Sequence, residues 1–142
     1  MNTSNSKFSQ CLYFSSNALA RKIEKLAQES WDKVNLSPSH AYLLMLTLEN
    51  PGIQPKAISE QLQLQPSTVT RLLEKLEQKK LVVRTSEGKL TNVYPTPKAK
   101  ELWPQMQECI SEFNQNCELT IGEMDTKNLV KDIVKVADKF KL

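Results

Sequence analysis

Three consecutive stretches decide the fold: Pro55-Lys56-Ala57-Ile58-Ser59-Glu60-Gln61-Leu62, the link Gln63-Leu64-Gln65, and Pro66-Ser67-Thr68-Val69-Thr70-Arg71-Leu72-Leu73-Glu74-Lys75-Leu76-Glu77-Gln78-Lys79. Both longer runs open on proline, which suits the first helical position because its missing N–H has no intrahelical partner there anyway. The first run turns Ile58 and Leu62 inward. The second places Val69, Leu72, Leu73 and Leu76 on one face, at the three- and four-residue spacings of an amphipathic helix. The period then changes. Leu81-Val82-Val83-Arg84-Thr85 and Leu90-Thr91-Asn92-Val93-Tyr94 are β-rich and flank Ser86-Glu87-Gly88-Lys89, which predicts a β-hairpin with a four-residue loop.

Two short helices joined by three residues and followed by a hairpin are the order of a winged helix-turn-helix. In that motif the second helix enters the major groove of DNA with its N-terminal residues at the base edges. Gln65, Ser67, Thr68, Thr70 and Arg71 occupy its first turn and a half, short hydrogen-bonding groups plus one guanidinium suited to bases and phosphates. Lys75, Lys79 and Lys80 continue along the helix, and Arg84 and Lys89 carry the charge into the hairpin. A bland reading stands beside this one: a helix starting Pro-Ser-Thr is well capped in any protein, and Lys/Glu alternation is how solvated helix faces look.

The rest of the chain extends the same pattern. Phe8, Leu12, Leu19, Ile23 and Leu26 predict one long helix from about Lys7 to Lys33. Ser37-Pro38 opens a helix to Glu49 that is apolar around most of its circumference, and Asn50-Pro51-Gly52 stops it. Thr96-Pro97 opens a helix to about Glu118, with Pro104 expected to kink it or postpone its start. Asp125 or Thr126 is the expected cap of a last helix carrying Leu129, Ile133, Val136 and Phe140. The fold class is therefore mainly α with a small β-hairpin. Residues 37–96 form the winged helix-turn-helix region, and residues 1–36 and 97–142 a helical dimerisation region of the same continuous domain.

Composition narrows the function. The chain has 142 residues, a single domain's length, and a net charge of +3. That charge is unevenly placed: residues 66–100 carry eight Lys/Arg against three Asp/Glu, a net of +5, and residues 101–142 carry five against eight, a net of −3. A concentrated basic window on the presumed reading helix and hairpin points to double-stranded DNA. Three glycines exclude a Gly-rich phosphate loop, and one histidine with three scattered cysteines leaves no cluster at metal-ligand spacing. No catalytic constellation, metal site or cofactor is expected, hence no enzyme. Met1 to Gln10 has no apolar core of a secretion signal, and no run is long and apolar enough to cross a membrane, so a cytoplasmic location is expected. A second copy of the chain is the expected cover for the apolar stripe of the last helix together with Phe8, Leu12 and Leu19. Two-fold pairing would set two reading helices about one DNA turn apart.

The stretch Pro51 to Leu62, followed by Pro66 to Glu77, resembles the MarR family of bacterial transcriptional regulators, and the resemblance extends over nearly the whole chain. It implies an obligate homodimer, built from the first and the last two helices, on a pseudo-palindromic operator. It also implies release by a small phenolic or lipophilic ligand, or by oxidation of a cysteine. The expected role is a repressor; a winged-helix protein–protein interaction module without DNA binding is the alternative. Three departures stand out. Gln63 and Lys80 replace the family's usual glycines in the turn and after the reading helix. A left-handed conformation there costs about 1–2 kcal/mol, so altered turns are expected. The wing lacks the usual Asp-x-Arg-x-x-Arg, leaving Lys89 as the one basic group at its tip. A ligand pocket, by resemblance, lies where the first, second and fifth helices meet the DNA-binding lobe, with Tyr13, Asn17 and His40 as candidate lining. Cys11 is expected as a buried structural residue early in the first helix, with a redox sensor as the alternative. Cys109 and Cys117 are expected in interface packing.

Overall fold

The computed structural model describes residues 2–142. After a single 3-10 turn, helix α1 (Leu12–Trp31) runs into a second such turn and then α2 (Pro38–Glu49), α3 (Pro55–Leu62) and α4 (Pro66–Gln78). An antiparallel hairpin follows, β1 (Val82–Glu87) with β2 (Leu90–Pro95), then α5 (Pro97–Ile121) and α6 (Glu123–Ala137). The fold class read from the sequence is the one observed. All four helix-opening prolines, Pro38, Pro55, Pro66 and Pro97, occupy a first position, and Ser37 and Thr96 cap their helices through the side-chain oxygen.

The core lies between α2, α4, α5 and the base of the hairpin. Leu43, Leu44, Ile58, Leu73, Leu76, Val93, Ala99 and Met106 are fully buried, and Trp31 closes it from the end of α1. The hairpin is anchored at its base only. Val82 and Pro95 are buried, whereas every β1 residue from Val83 outward is exposed. Ile53 forms a single antiparallel bridge with β2: its carbonyl accepts from Val93 N–H at 2.9 Å, and Gly52 N–H donates to the Val93 carbonyl at 2.8 Å. Gly52 has φ +88°, and the Tyr94 ring lies 3.2–3.4 Å from where a Cβ would stand, so the turn needs glycine for conformation and for space.

Several expectations are corrected. The first helix begins at Leu12 rather than Lys7, because residues 3–10 form turns closed by hydrogen bonds such as Cys11 N–H to the Phe8 carbonyl. Pro104 does not postpone its helix; α5 starts at Pro97 and runs through it to Ile121. The last helix starts at Glu123, next to a single-residue joint at Gly122 (φ 108°, ψ 143°); the Thr126 hydroxyl donates back to the Gly122 carbonyl instead of capping. Phe140 lies beyond the helix end. The strands close further than expected. Glu87 pairs with Leu90, so the loop is the two residues Gly88-Lys89.

The altered turns do not occur either. Gln63 and Lys80 both keep the left-handed conformation, with φ 55° and 60°. Hydrogen bonds hold each one there. Leu64 N–H reaches back to the Ser59 carbonyl at 3.1 Å, the Ser59 hydroxyl donates to the Leu64 carbonyl at 2.5 Å, and the Gln63 side-chain amide donates to the Glu60 carbonyl at 2.8 Å. At the end of α4, Lys80 N–H bonds to the Glu77 carbonyl and Leu81 N–H to the Leu76 carbonyl, each 2.9 Å, and the Leu76 and Leu81 side chains are both buried. The two bonds make a Schellman closure. A side chain in that conformation costs about 1–2 kcal/mol. Lys80→Gly is therefore expected to raise the melting temperature by about 3–5 °C, and Lys80→Ala to leave it nearly unchanged, both read by thermal denaturation.

Candidate nucleic-acid interface

Helix α4 rests on Val69, Leu73 and Leu76, all buried, and this fixes which face it presents. Gln65, Ser67, Thr70, Arg71 and Lys75 are exposed on the opposite side and Thr68 is half-buried beside them. Gln65 stands at the N-cap without a side-chain capping bond. Its amide is therefore not taken up by the helix end. The first turn holds no acidic residue, so its unpaired N–H groups and the positive end of the helix dipole are uncompensated. Within this face the Thr70 hydroxyl donates to the Pro66 carbonyl at 3.1 Å, and Arg71 Nη2 lies 3.4 Å from Thr68 Oγ1.

The basic window is not presented uniformly. Lys79 Nζ donates to the Asn35 carbonyl in the α1–α2 connection at 2.7 Å, and Lys98 Nζ donates to the Lys79 carbonyl at the C-terminal end of α4 at 3.0 Å, so both cations are engaged within the chain. Arg84 Nη2 is 2.5 Å from Glu77 Oε1. Arg71, Lys75 and Lys89 enter no ion pair among the described residues. Lys79, Lys98 and Arg84 find partners far along the chain, or across an element boundary, where spacing rules have nothing to say.

Tyr13, Asn17 and His40 do not come together. Tyr13 is exposed, and the Asn17 side-chain amide donates to its carbonyl at 2.7 Å on the surface of α1. His40 Nδ1 is 2.5 Å from Ser37 Oγ. Burial lowers the His40 pKa, and the Lys79 and Lys75 ammoniums lower it further. A cavity of ≈ 420 Å³ does lie between α1, α2, the α3 end and α5, lined by Ile23, Glu24, Tyr42, Leu62, Leu64 and Phe113 among others, but by none of those three. Sequence periodicity turned Ile23 and Leu62 inward and offered no signal that a space remains between them.

The cysteine expectations also change. Cys11 is exposed and precedes α1 instead of lying buried within it. Cys109 belongs to the chain's own core rather than an interface, and burial raises its thiol pKa; Cys117 is half-buried and raised for the same reason. Among the described residues no group of three or more His, Cys, Asp or Glu could hold a metal ion, and no helix is long and apolar enough to cross a membrane.

Known proteins share this arrangement. The family model described as the MarR family matches residues 34–89, from within the α1–α2 connection to the hairpin tip. The HTH-type transcriptional regulator SarZ of Staphylococcus epidermidis is 27% identical over 144 aligned positions, covering 98% of this chain and 95% of that protein. The HTH-type transcriptional repressor MdtR of Bacillus subtilis is 32% identical over 72 residues, which span 51% of this chain and about half (46%) of MdtR. Among solved structures, the transcriptional repressor CouR bound to p-coumaroyl-CoA superposes with a TM-score of 0.85 at 18% identity, covering 96% of this chain and 98% of CouR. CouR bound to a 23-mer DNA duplex superposes with a TM-score of 0.83 at 17% identity and the same coverage. The likeness to CouR lies in the fold, and that to SarZ runs from end to end of the sequence. With the helix-turn-helix and its wing at the centre of both, residues 34–89 match the MarR family, and the chain over nearly its whole length is similar to an HTH-type transcriptional regulator.

Proposed function

We propose that this protein is a homodimeric repressor that binds a pseudo-palindromic operator in double-stranded DNA. One observation carries the reading: α4 exposes Gln65, Ser67, Thr70 and Arg71 at an N-terminus free of acidic groups, with the hairpin beside it. Gln65, Ser67, Thr68, Thr70 and Arg71 face the base edges, and Lys75 and Lys89 the phosphates. Residues 37–96 form the DNA-binding region, and 1–36 with 97–142 the dimerisation region. Support for the second copy comes from α6, which has no buried residue although Val130, Ile133, Val134 and Val136 are large and apolar. Leu12, Tyr13 and Leu19 of α1 are similarly exposed. The protein acts in the cytoplasm and performs no catalysis.

The cavity between α1, α2 and α5 has the volume and apolar lining of a small-molecule site, and we assign it a small aromatic or lipophilic effector that releases DNA. CouR, seen both with p-coumaroyl-CoA and with DNA, is a fold relative in which the two kinds of partner meet.

Selection of bound duplexes from a random pool tests the reading: a palindrome with half-sites one turn apart is the expected product. Absence of salt-dependent binding to any duplex would favour a winged-helix interaction module. On the selected site, Arg71→Ala should weaken binding by about 1–3 kcal/mol and relax preference at one position in each half-site. Lys89→Ala should weaken specific and random DNA alike and reduce the salt slope by about one per subunit. Equal loss on both DNAs for Arg71→Ala would remove it from base reading.

A further inference from the structure

The wing has a shallow foundation. Its base is fixed by Val82, Val93 and Pro95, but from Val83 to Leu90 every residue is exposed, so little apolar contact sets the direction of the tip. One ion pair joins it to α4 among the described residues. Glu77, in the last turn of α4, meets Arg84, the third residue of β1, with Oε1 and Nη2 2.5 Å apart and each side chain only about a third exposed (34% and 32%). Arg84 also stands opposite Val93, the residue held from its other side by Ile53. The ion pair therefore sits where the anchored part of the hairpin gives way to the unsupported part.

We propose that Glu77 and Arg84 form a latch that sets the angle of the wing against α4, making both positioning residues for DNA binding. Arg84 then acts through Glu77 and not by touching a phosphate. The inference rests on the DNA-binding reading for its consequence, while the latch itself is a property of the free protein. Partial shielding from water makes such a pair stronger than one at full exposure, and a guanidinium offers the carboxylate a planar, directional partner.

The two roles predict opposite signs. Glu77→Gln removes a negative charge from a basic, DNA-facing surface, and electrostatics alone then tightens binding. A latch predicts that the same change weakens binding, by roughly two- to fivefold, because the wing loses its angle. The experiment compares wild type, Glu77→Gln, Arg84→Gln and the double variant on the selected duplex. In parallel, hydrogen exchange is measured on the amides of residues 84–92 in the DNA-free protein. The expected result is weaker binding in each single variant, a double variant no weaker than either, and faster exchange confined to the hairpin in all three. Tighter binding by Glu77→Gln with unchanged hairpin exchange would overturn the proposal and return Arg84 to direct phosphate contact. Should wild type bind no duplex, the regulatory reading fails, and the exchange data alone decide the latch: unchanged hairpin protection rejects it.

Discussion

Leu73→Ala is expected to destabilise the protein by about 2–5 kcal/mol, the range for emptying a fully buried leucine site. Leu73 is completely buried on the inward face of α4, between Val69 and Leu76. Its removal leaves a void at the seam where the reading helix meets α2, and the backbone of two proline-started helices has little freedom to collapse into it. A urea titration should show the midpoint fall while the slope holds, since the surface exposed on unfolding is nearly unchanged. Arg71→Ala, two residues away but exposed, should leave the midpoint where it was. A Leu73→Ala loss under 1 kcal/mol would mean that α4 is not held by this face.

The second large effect concerns assembly. Ile133→Asp is expected to abolish the proposed dimer and to lower operator affinity by about 10²–10⁴-fold, the range by which joining two binding modules exceeds one alone. Ile133 is 47% exposed within one chain, so the carboxylate meets water in an isolated subunit and is excluded only by a partner. Sedimentation should give the monomer mass, and a gel shift should show weak, half-site-like binding. A variant that remains dimeric and binds with wild-type affinity would move the interface away from α6. Asp132, the neighbouring residue, is itself exposed and acidic, so Asp132→Asn serves as the control that changes charge without touching the apolar stripe.

What the sequence made legible was governed by neighbours in sequence. Each of Pro38, Pro55, Pro66 and Pro97 opens a helix because a missing N–H and a fixed φ act within one turn. The exposed face of α4 followed from the spacing of Val69, Leu73 and Leu76 by the same local logic. Failures arose wherever distant groups decide. The absence of glycine at positions 63 and 80 argued for altered turns, yet carbonyls at the ends of α3 and α4, with Leu76 and Leu81 both buried in the core, hold both left-handed residues in place. Pro104 could have postponed the start of its helix, but α5 takes it within 25 residues, seven of them before it. Cys109 read as an interface residue because nothing local says that α5 packs into the chain's own core. In the candidate site, the exposed polar row was readable. The engagement of Arg84 with Glu77 and of Lys79 with the Asn35 carbonyl was not, since each depends on how elements meet.

The joint at Gly122 gives the proposed dimer a mechanical property. A single residue separates α5 from α6, with φ 108° and ψ 143°, a region closed to residues that carry a Cβ. A helix of 15 residues is about 22 Å long, so a 10° change at its root carries its far end about 4 Å. If α6 clasps the partner, that lever fixes how far apart the two reading helices stand. Operator spacing is then tuned at one peptide joint remote from the DNA, and a substitution there would change which half-site separations the protein accepts without altering a single base contact.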